Sequence, residues 1–169
     1  MPPQIYLRSN TPPALFTSLT WSPIFNHLRD TSSRVPFAIC YATTPSDIIA
    51  CIDLARTHNR QISIRSGGHS WAAWSVRDDA ILVDLRGLYS GEFTYDKTTG
   101  VVVAPAGRTG KELNEFLQNL PINVEGGGVK HEKRMFQGGH CPDVGLGGFL
   151  LQGGMGWCCK VCSSSPCGT

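Results

Sequence analysis

Apolar residues along this chain follow two spacings, and the change from one to the other marks the elements. In "TTPSDIIACIDLARTHN", beginning at Thr43, Ile48, Ile52 and Ala55 fall on one face of a helix. Thr44 stands at the cap, Pro45 at the first helical position, and Asp47 three residues on completes a capping box. The spacing then drops to two in "QISIR", where Ile62 and Ile64 alternate as in a half-buried strand that runs into Gly67 and Gly68. "AILVDL", Ala80 to Leu85, reads as a buried strand, and "FTYDKTTGVVVA" as a hairpin turning over Asp96 to Gly100. A second helix is predicted in "RTGKELNEFLQNL", with Thr109 capping, Glu112 answering it, and Leu113, Phe116, Leu117 and Leu120 on one face. Intermixed helices and strands of this kind predict an α+β fold. No internal repeat interrupts the pattern, and the only compositional break is glycine-rich and then charged, "VEGGGVKHEKR" at residues 124–134.

Composition narrows the function. The chain has 169 residues, 41% of them hydrophobic, enough for one domain or one lobe of a larger one. A net charge of +2 with both signs interspersed lacks the basic stripe of a nucleic-acid binder. No window approaches the ~20 apolar residues of a membrane span, and the proline-broken N-terminus has no apolar signal core, so a soluble, cytoplasmic protein is expected. Seven cysteines cannot all pair, and four of them, Cys158, Cys159, Cys162 and Cys167, crowd the last dozen positions, so no disulfide framework is indicated.

The candidate chemistry lies in the glycines. Gly67 and Gly68 follow a strand and precede His69, within "SIRSGGHSWAAWS". Glycine there lets the backbone turn and approach an anionic ligand with no β-carbon in the way, and a phosphate is the natural guest. A denser cluster follows in "GGHCPDVGLGGFLLQGGMGW", residues 138–157. Neither stretch is a P-loop, since no Gly-Lys-Ser/Thr ends it, and neither matches the dinucleotide fingerprint that opens a helix. Taken alone, His69 reads as a polar turn or core histidine, Arg65 as a solvated strand end, and Cys141 as a small buried thiol. Trp71 and Trp74 read as core or cleft wall, and His131 and His140 as loop residues.

The two glycine motifs in register, about seventy residues apart, change that reading. From about residue 38 to 157 the chain resembles the FAD-linked oxidases of the vanillyl-alcohol oxidase and p-cresol methylhydroxylase type, in the berberine bridge enzyme-like branch. The resemblance rests on "IRSGGHSWAAWS", "AILVDLRGL", "VVVAPAGRTGKELNEFL" and "GGHCPDVGLGGFLLQGGMGW" in the family's order. It implies a PCMH-type FAD-binding domain of two small α/β subdomains. It also implies a covalent bond from His69 to a ring methyl of FAD, with a second bond from Cys141. Neutral imidazole is a nucleophile near physiological pH, and a thiolate is a stronger one. Arg65, Ser66, Gly67, Gly68, Ser70, Gly107, Gly139, Val144, Gly145, Gly147, Gly148, Gly153, Gly154 and Gly156 fall where the family wraps the cofactor. The implied activity is hydride transfer from an alcohol, sugar or secondary metabolite to the flavin and then to oxygen, with no catalytic acid or base assigned.

Two stretches depart from the family pattern, residues 124–134 and the tail "CCKVCSSSPCGT". They are expected to be products of gene-model error or truncation. The expected organisation is an N-terminal extension at 1–37, an incomplete FAD-binding domain at 38–157 and a cysteine- and serine-rich tail at 158–169, with no metal site and little turnover by the chain alone. The competing readings are a non-catalytic fragment serving as an interaction module and a small cysteine-rich zinc or redox module.

Overall fold

A computed structural model describes residues 4–22, 28–88, 92–124, 128–132 and 134–154. The first half is a sheet between two helices. β1 (Gln4–Leu7), α1 (Pro13–Thr20), β2 (Ala38–Tyr41), α2 (Pro45–Thr57), β3 (Ile62–Arg65) and β4 (Ile81–Asp84) build it, with the strands in the order β1-β2-β4-β3. β1 runs antiparallel to β2, whereas β2, β4 and β3 are parallel, which takes long crossover connections: α2 between β2 and β3, and the loop 66–80 between β3 and β4. Alternation in the strands separates the two faces. Ala38, Cys40, Ile81 and Val83 pack against Cys51 and Ala55 of α2, while Ile39 and Leu82 pack against Phe16 of α1. The capping box of Thr44 and Asp47 forms as expected, and the buried line of α2 runs through Asp47, Cys51 and Ala55, with Ile48 beside it.

The second half has its own core. β5 (Thr94–Tyr95) and β6 (Val102–Val103) form the expected hairpin, and α3 (Gly110–Gln118) starts at the expected Thr109–Glu112 capping box. Leu113, Leu117 and Leu120 bury with Leu146, with Phe93, Phe116 and Phe136 packed around them. In this half the structure adds three elements where the sequence read none. Residues that look like a glycine-rich break form an antiparallel pair, β7 (Leu120–Val124) with β8 (Gly128–Glu132). In the dense glycine cluster, Leu146–Leu151 forms a short helix, α4, despite Gly147 and Gly148. Packing of Leu146 outweighs the weak helix propensity of two glycines, about 1 kcal/mol each. The stretch read as an N-terminal extension supplies β1 and α1 to the first sheet.

Among the described residues no helix is long and apolar enough to cross a membrane. None of their His, Cys, Asp and Glu side chains cluster in a group able to hold a metal ion. Gly156, the tail cysteines and the side chain of His131 lie outside what is described.

Candidate flavin-binding site

Three loops meet beyond the C-terminal ends of the parallel strands, the place where open α/β sheets bind ligands. They carry Gly67, Gly107 and Gly145. The loop at 105–110 is tied to the loop at 142–147 by Gly110 N–H to the Val144 carbonyl (3.1 Å), Lys111 N–H to Pro142 (2.9 Å), Leu146 N–H to Arg108 (2.7 Å) and Gly147 N–H to Ala106 (3.0 Å). The Ser66 hydroxyl donates to the Ala106 carbonyl at 2.6 Å, joining the first loop to both. Backbones approach so closely here that a β-carbon on Gly67 would sit 2.6 Å from the Gly145 nitrogen. One on Gly145 would overlap the Gly67 nitrogen and the Ser66 hydroxyl. Gly68 has φ +74°, and a β-carbon there would lie 2.9 Å from Ser22, which α1 delivers beneath the loop.

These loops wall a cavity of about 670 Å³. The whole stretch Arg65 to Ser70 lines it from one side, and Val144, Gly145, Gly148 and Gly154 line it from the other. His69 is half-buried in this wall. Burial pushes its imidazole below the usual histidine range, and the Asp143 carboxylate only partly opposes that. At neutral pH the ring is therefore uncharged, the form that can act as a nucleophile or accept a proton. Gly148 borders the cavity beside open space, since a β-carbon on it would meet nothing within 4 Å.

The other expected residues lie nearby but not on this wall. Gly139 and Cys141 line a pocket of about 130 Å³ on the far side of Val144 and Phe149, two residues that border both spaces. Cys141 is exposed, so it is not the buried thiol that the residues alone allowed. Gly107 borders a third cleft with Gly67, Arg86 and Asp143, Gly147 packs against Ala106, and Gly153 turns the chain after α4 with φ +77°. Trp71 and Trp74 stand at the cavity rim, 75% and 62% exposed.

Arg65 is not a solvated strand end. It is 2% exposed and makes four hydrogen bonds, Nε and Nη2 to Asp84 (3.1 and 2.7 Å), Nη1 to the Thr20 carbonyl and Nη2 to the Leu19 carbonyl, both 2.7 Å. Asp84 also accepts from Arg86 at 2.6 Å. Burial pushes the Asp84 carboxyl up, but Arg86 and Arg65 outweigh it and hold the group below its ordinary value. Arg65 thus ties the C-terminal end of α1, and with it Ser22, to the strand that launches the Gly67–His69 loop. Neither Asp84 nor Ser22 was singled out from sequence. A usable signal was present: two strand patterns, the alternating "ISI" and the apolar "ILV", end on opposite charges that pair in register as Arg65 and Asp84.

A glycine-lined cavity at the strand ends, with a neutral histidine in its wall, matches a known domain. The family described as "FAD binding domain" covers residues 36–165. The chain belongs to this family. Its curated relatives include the FAD-linked oxidoreductase janO of Penicillium janthinellum, 42% identical over 153 residues, covering 90% of this chain and 30% of the relative. A chitooligosaccharide oxidase of Gibberella zeae is 31% identical over 128 residues, 73% of this chain and 23% of the relative. Among solved structures, berberine bridge enzyme-like 1 of Physcomitrella patens superposes with a TM-score of 0.66 at 24% identity, over 88% of this chain and 28% of its own. A xylooligosaccharide oxidase from Myceliophthora thermophila C1 gives 0.63 at 26% identity, over 87% and 27%. The fold is that of the PCMH-type FAD-binding domain, and the chain spans about a third or less of the length of these relatives.

Proposed function

We propose that the cavity beside His69 is an FAD site, that His69 is the point of covalent attachment with Cys141 as a second, and that the chain is the flavin-binding portion of an oxidoreductase. Its substrate class is a small-molecule alcohol, sugar or secondary metabolite, with oxygen as the electron acceptor. The observation that carries this reading is the convergence of Gly67, Gly68, Gly145 and a neutral His69 on one cavity, in a chain of the FAD binding domain family.

When bound, FAD accepts a hydride and delivers the electrons to oxygen. The chain's own residues bind and orient it. The missing β-carbons at Gly67, Gly68 and Gly145 let the loops close on one another and on Ser22, which sets the wall of the cavity. The His69 imidazole, uncharged because it is partly desolvated, offers a lone pair for bond formation at neutral pH. Attachment through Cys141 rests on the family resemblance, because that thiol lies in the adjoining pocket. Among the described residues no carboxylate lines the main cavity, no proton acceptor for the substrate is assigned, and little turnover is expected from the chain alone. Exposed Ile64, Trp71, Trp74, Leu150 and Leu151 surround the cavity and α4, and they favour an interaction module as the second reading.

The test is a titration with FAD, FMN and NAD followed by tryptophan emission, since Trp71 and Trp74 stand at the rim. FAD is expected to bind at least about tenfold more tightly than NAD. Gly148→Leu adds a side chain at a glycine that borders the cavity, where a β-carbon meets nothing within 4 Å, and it replaces a helical glycine. Its thermal midpoint is expected to match or exceed that of the wild type while FAD affinity falls about tenfold or more. Unchanged FAD affinity in this variant, or equal affinity for NAD, would overturn the assignment.

A further inference from the structure

We infer that Arg34 is a positioning residue for the cavity: its guanidinium clamps the loop that carries Trp71 and Trp74 and so fixes one wall of the site. Its effect on flavin binding rests on the function proposed above, whereas the clamp itself does not.

The loop from Ser70 to Val76 is built from two successive turns. Ala73 N–H donates to the Ser70 carbonyl at 2.9 Å, and Val76 N–H to the Ala73 carbonyl at 2.9 Å. The Ser70 hydroxyl accepts from Trp74 N–H at 3.3 Å. Ser70, Trp71, Trp74 and Ser75 all line the cavity, so the shape of this loop is the shape of that wall. Ala73, however, holds φ +47°, a left-handed conformation that a residue with a β-carbon keeps only when its surroundings over-determine it.

Arg34 supplies much of that determination. Nη1 donates to the Ala73 carbonyl (3.2 Å) and the Val76 carbonyl (3.1 Å), and Nη2 to the Ala72 carbonyl (3.0 Å). Three carbonyls outside any helix or sheet thus receive one planar, permanently charged fork. The fork is aimed in turn by Ser32, whose hydroxyl accepts from Nε (3.1 Å) and from the Arg34 backbone N–H (3.2 Å). The second support is the Ala73 methyl, buried with Trp21 and Val76. Arg34 stands 38 to 42 residues from its partners and just before residue 36, where the family match begins. A lysine cannot reproduce the clamp, because a single ammonium lacks the geometry to serve carbonyls on both sides of a fork.

The experiment compares Arg34→Ala and Arg34→Lys with the wild type in the full chain. Amide hydrogen exchange at Ala73 and Val76 is expected to rise about tenfold or more in both variants, while exchange at Ile39 and Leu82 in the sheet stays unchanged. Millimolar methylguanidinium is expected to slow exchange again in Arg34→Ala and to leave Arg34→Lys as it was. FAD affinity is expected to fall about tenfold in parallel and to recover with the same additive. If Arg34→Ala does not fold, Arg34→Lys carries the same exchange and affinity readouts. Wild-type exchange rates at Ala73 and Val76 in Arg34→Lys would overturn the inference, as would loosening spread equally over the sheet. If the wild-type chain itself does not bind FAD, the flavin reading fails and the exchange contrast alone decides the clamp.

Discussion

Replacing Asp84 with asparagine is expected to cost about 3–5 kcal/mol of stability, because it leaves the Arg65 guanidinium buried with its charge unbalanced. Against a total of roughly 5–15 kcal/mol for a domain of this kind, that loss is enough to unfold much of the population near body temperature. Asp84 is 1% exposed at the end of a central strand, and it takes hydrogen bonds from Arg65 and Arg86 together. Urea unfolding provides the check, with a lower midpoint at an unchanged slope. Removing both partners, as Asp84→Leu with Arg65→Met, is expected to recover part of the loss, because the unbalanced charge is gone while the Thr20 and Leu19 carbonyls lose their donor. The pH dependence carries the same information. Asp84 is held below its ordinary value, so its contribution is complete above about pH 4, the unfolded carboxyl value, and is lost as pH falls through the lower folded value. Asp84→Asn is therefore expected to lose less stability on acidification than the wild type does.

The second large effect is at Gly145. A methyl group there overlaps the Gly67 nitrogen and the Ser66 hydroxyl, and neither can yield independently. The Ser66 hydroxyl is bonded to the Ala106 carbonyl, and Gly67 is held between the buried Arg65 and the Ser22-backed turn at Gly68. The 66–68 and 142–147 loops must separate by more than an ångström, at a cost of about 3 kcal/mol from overpacking alone. Because both loops line the cavity, Gly145→Ala is expected to reduce FAD affinity by more than its loss of stability explains. The contrast with Gly148→Leu is the informative part. Two glycines three residues apart are expected to respond in opposite ways in stability, one supporting contact between backbones and the other leaving space for a ligand. Thermal unfolding paired with the FAD titration separates the two roles, and equal behaviour of the variants would contradict it.

Much of the framework was legible in local sequence. Thr44–Asp47 and Thr109–Glu112 set both principal helix starts through groups within four residues of each other, so no tertiary knowledge was needed. The hairpin at Thr94 to Val103 was legible for the same reason, from a turn sequence between apolar residues. Glycine pairs announced a close approach without naming the partner. That Gly67 meets Gly145, and that Gly107 meets the Leu85 carbonyl, depends on contacts dozens of residues apart. Arg65 was ambiguous because a charge ending a strand is equally compatible with solvent or with a buried partner, and only the register with Asp84 decides. The β7–β8 pair was obscured by glycine and charge, which normally disfavour strands. Arg34 left no sequence signal at all, since its partners are backbone carbonyls and carry no residue identity.

The most direct test of the flavin assignment is to incubate the chain with FAD, denature it, digest it with trypsin and map the peptide that retains flavin. Cleavage after Arg65 and Arg77 releases residues 66–77, whose only histidine is His69. Flavin fluorescence and a mass increase of one FAD less two hydrogens, which leave through the reduced flavin to oxygen, are expected on that peptide, and burial, which pushes the imidazole below its usual range, favours the uncharged form that makes the bond. The label is expected to disappear from that peptide in His69→Ala. Flavin absent from residues 66–77 in the wild type, or retained there in the variant, would contradict His69 as the attachment point in this cavity.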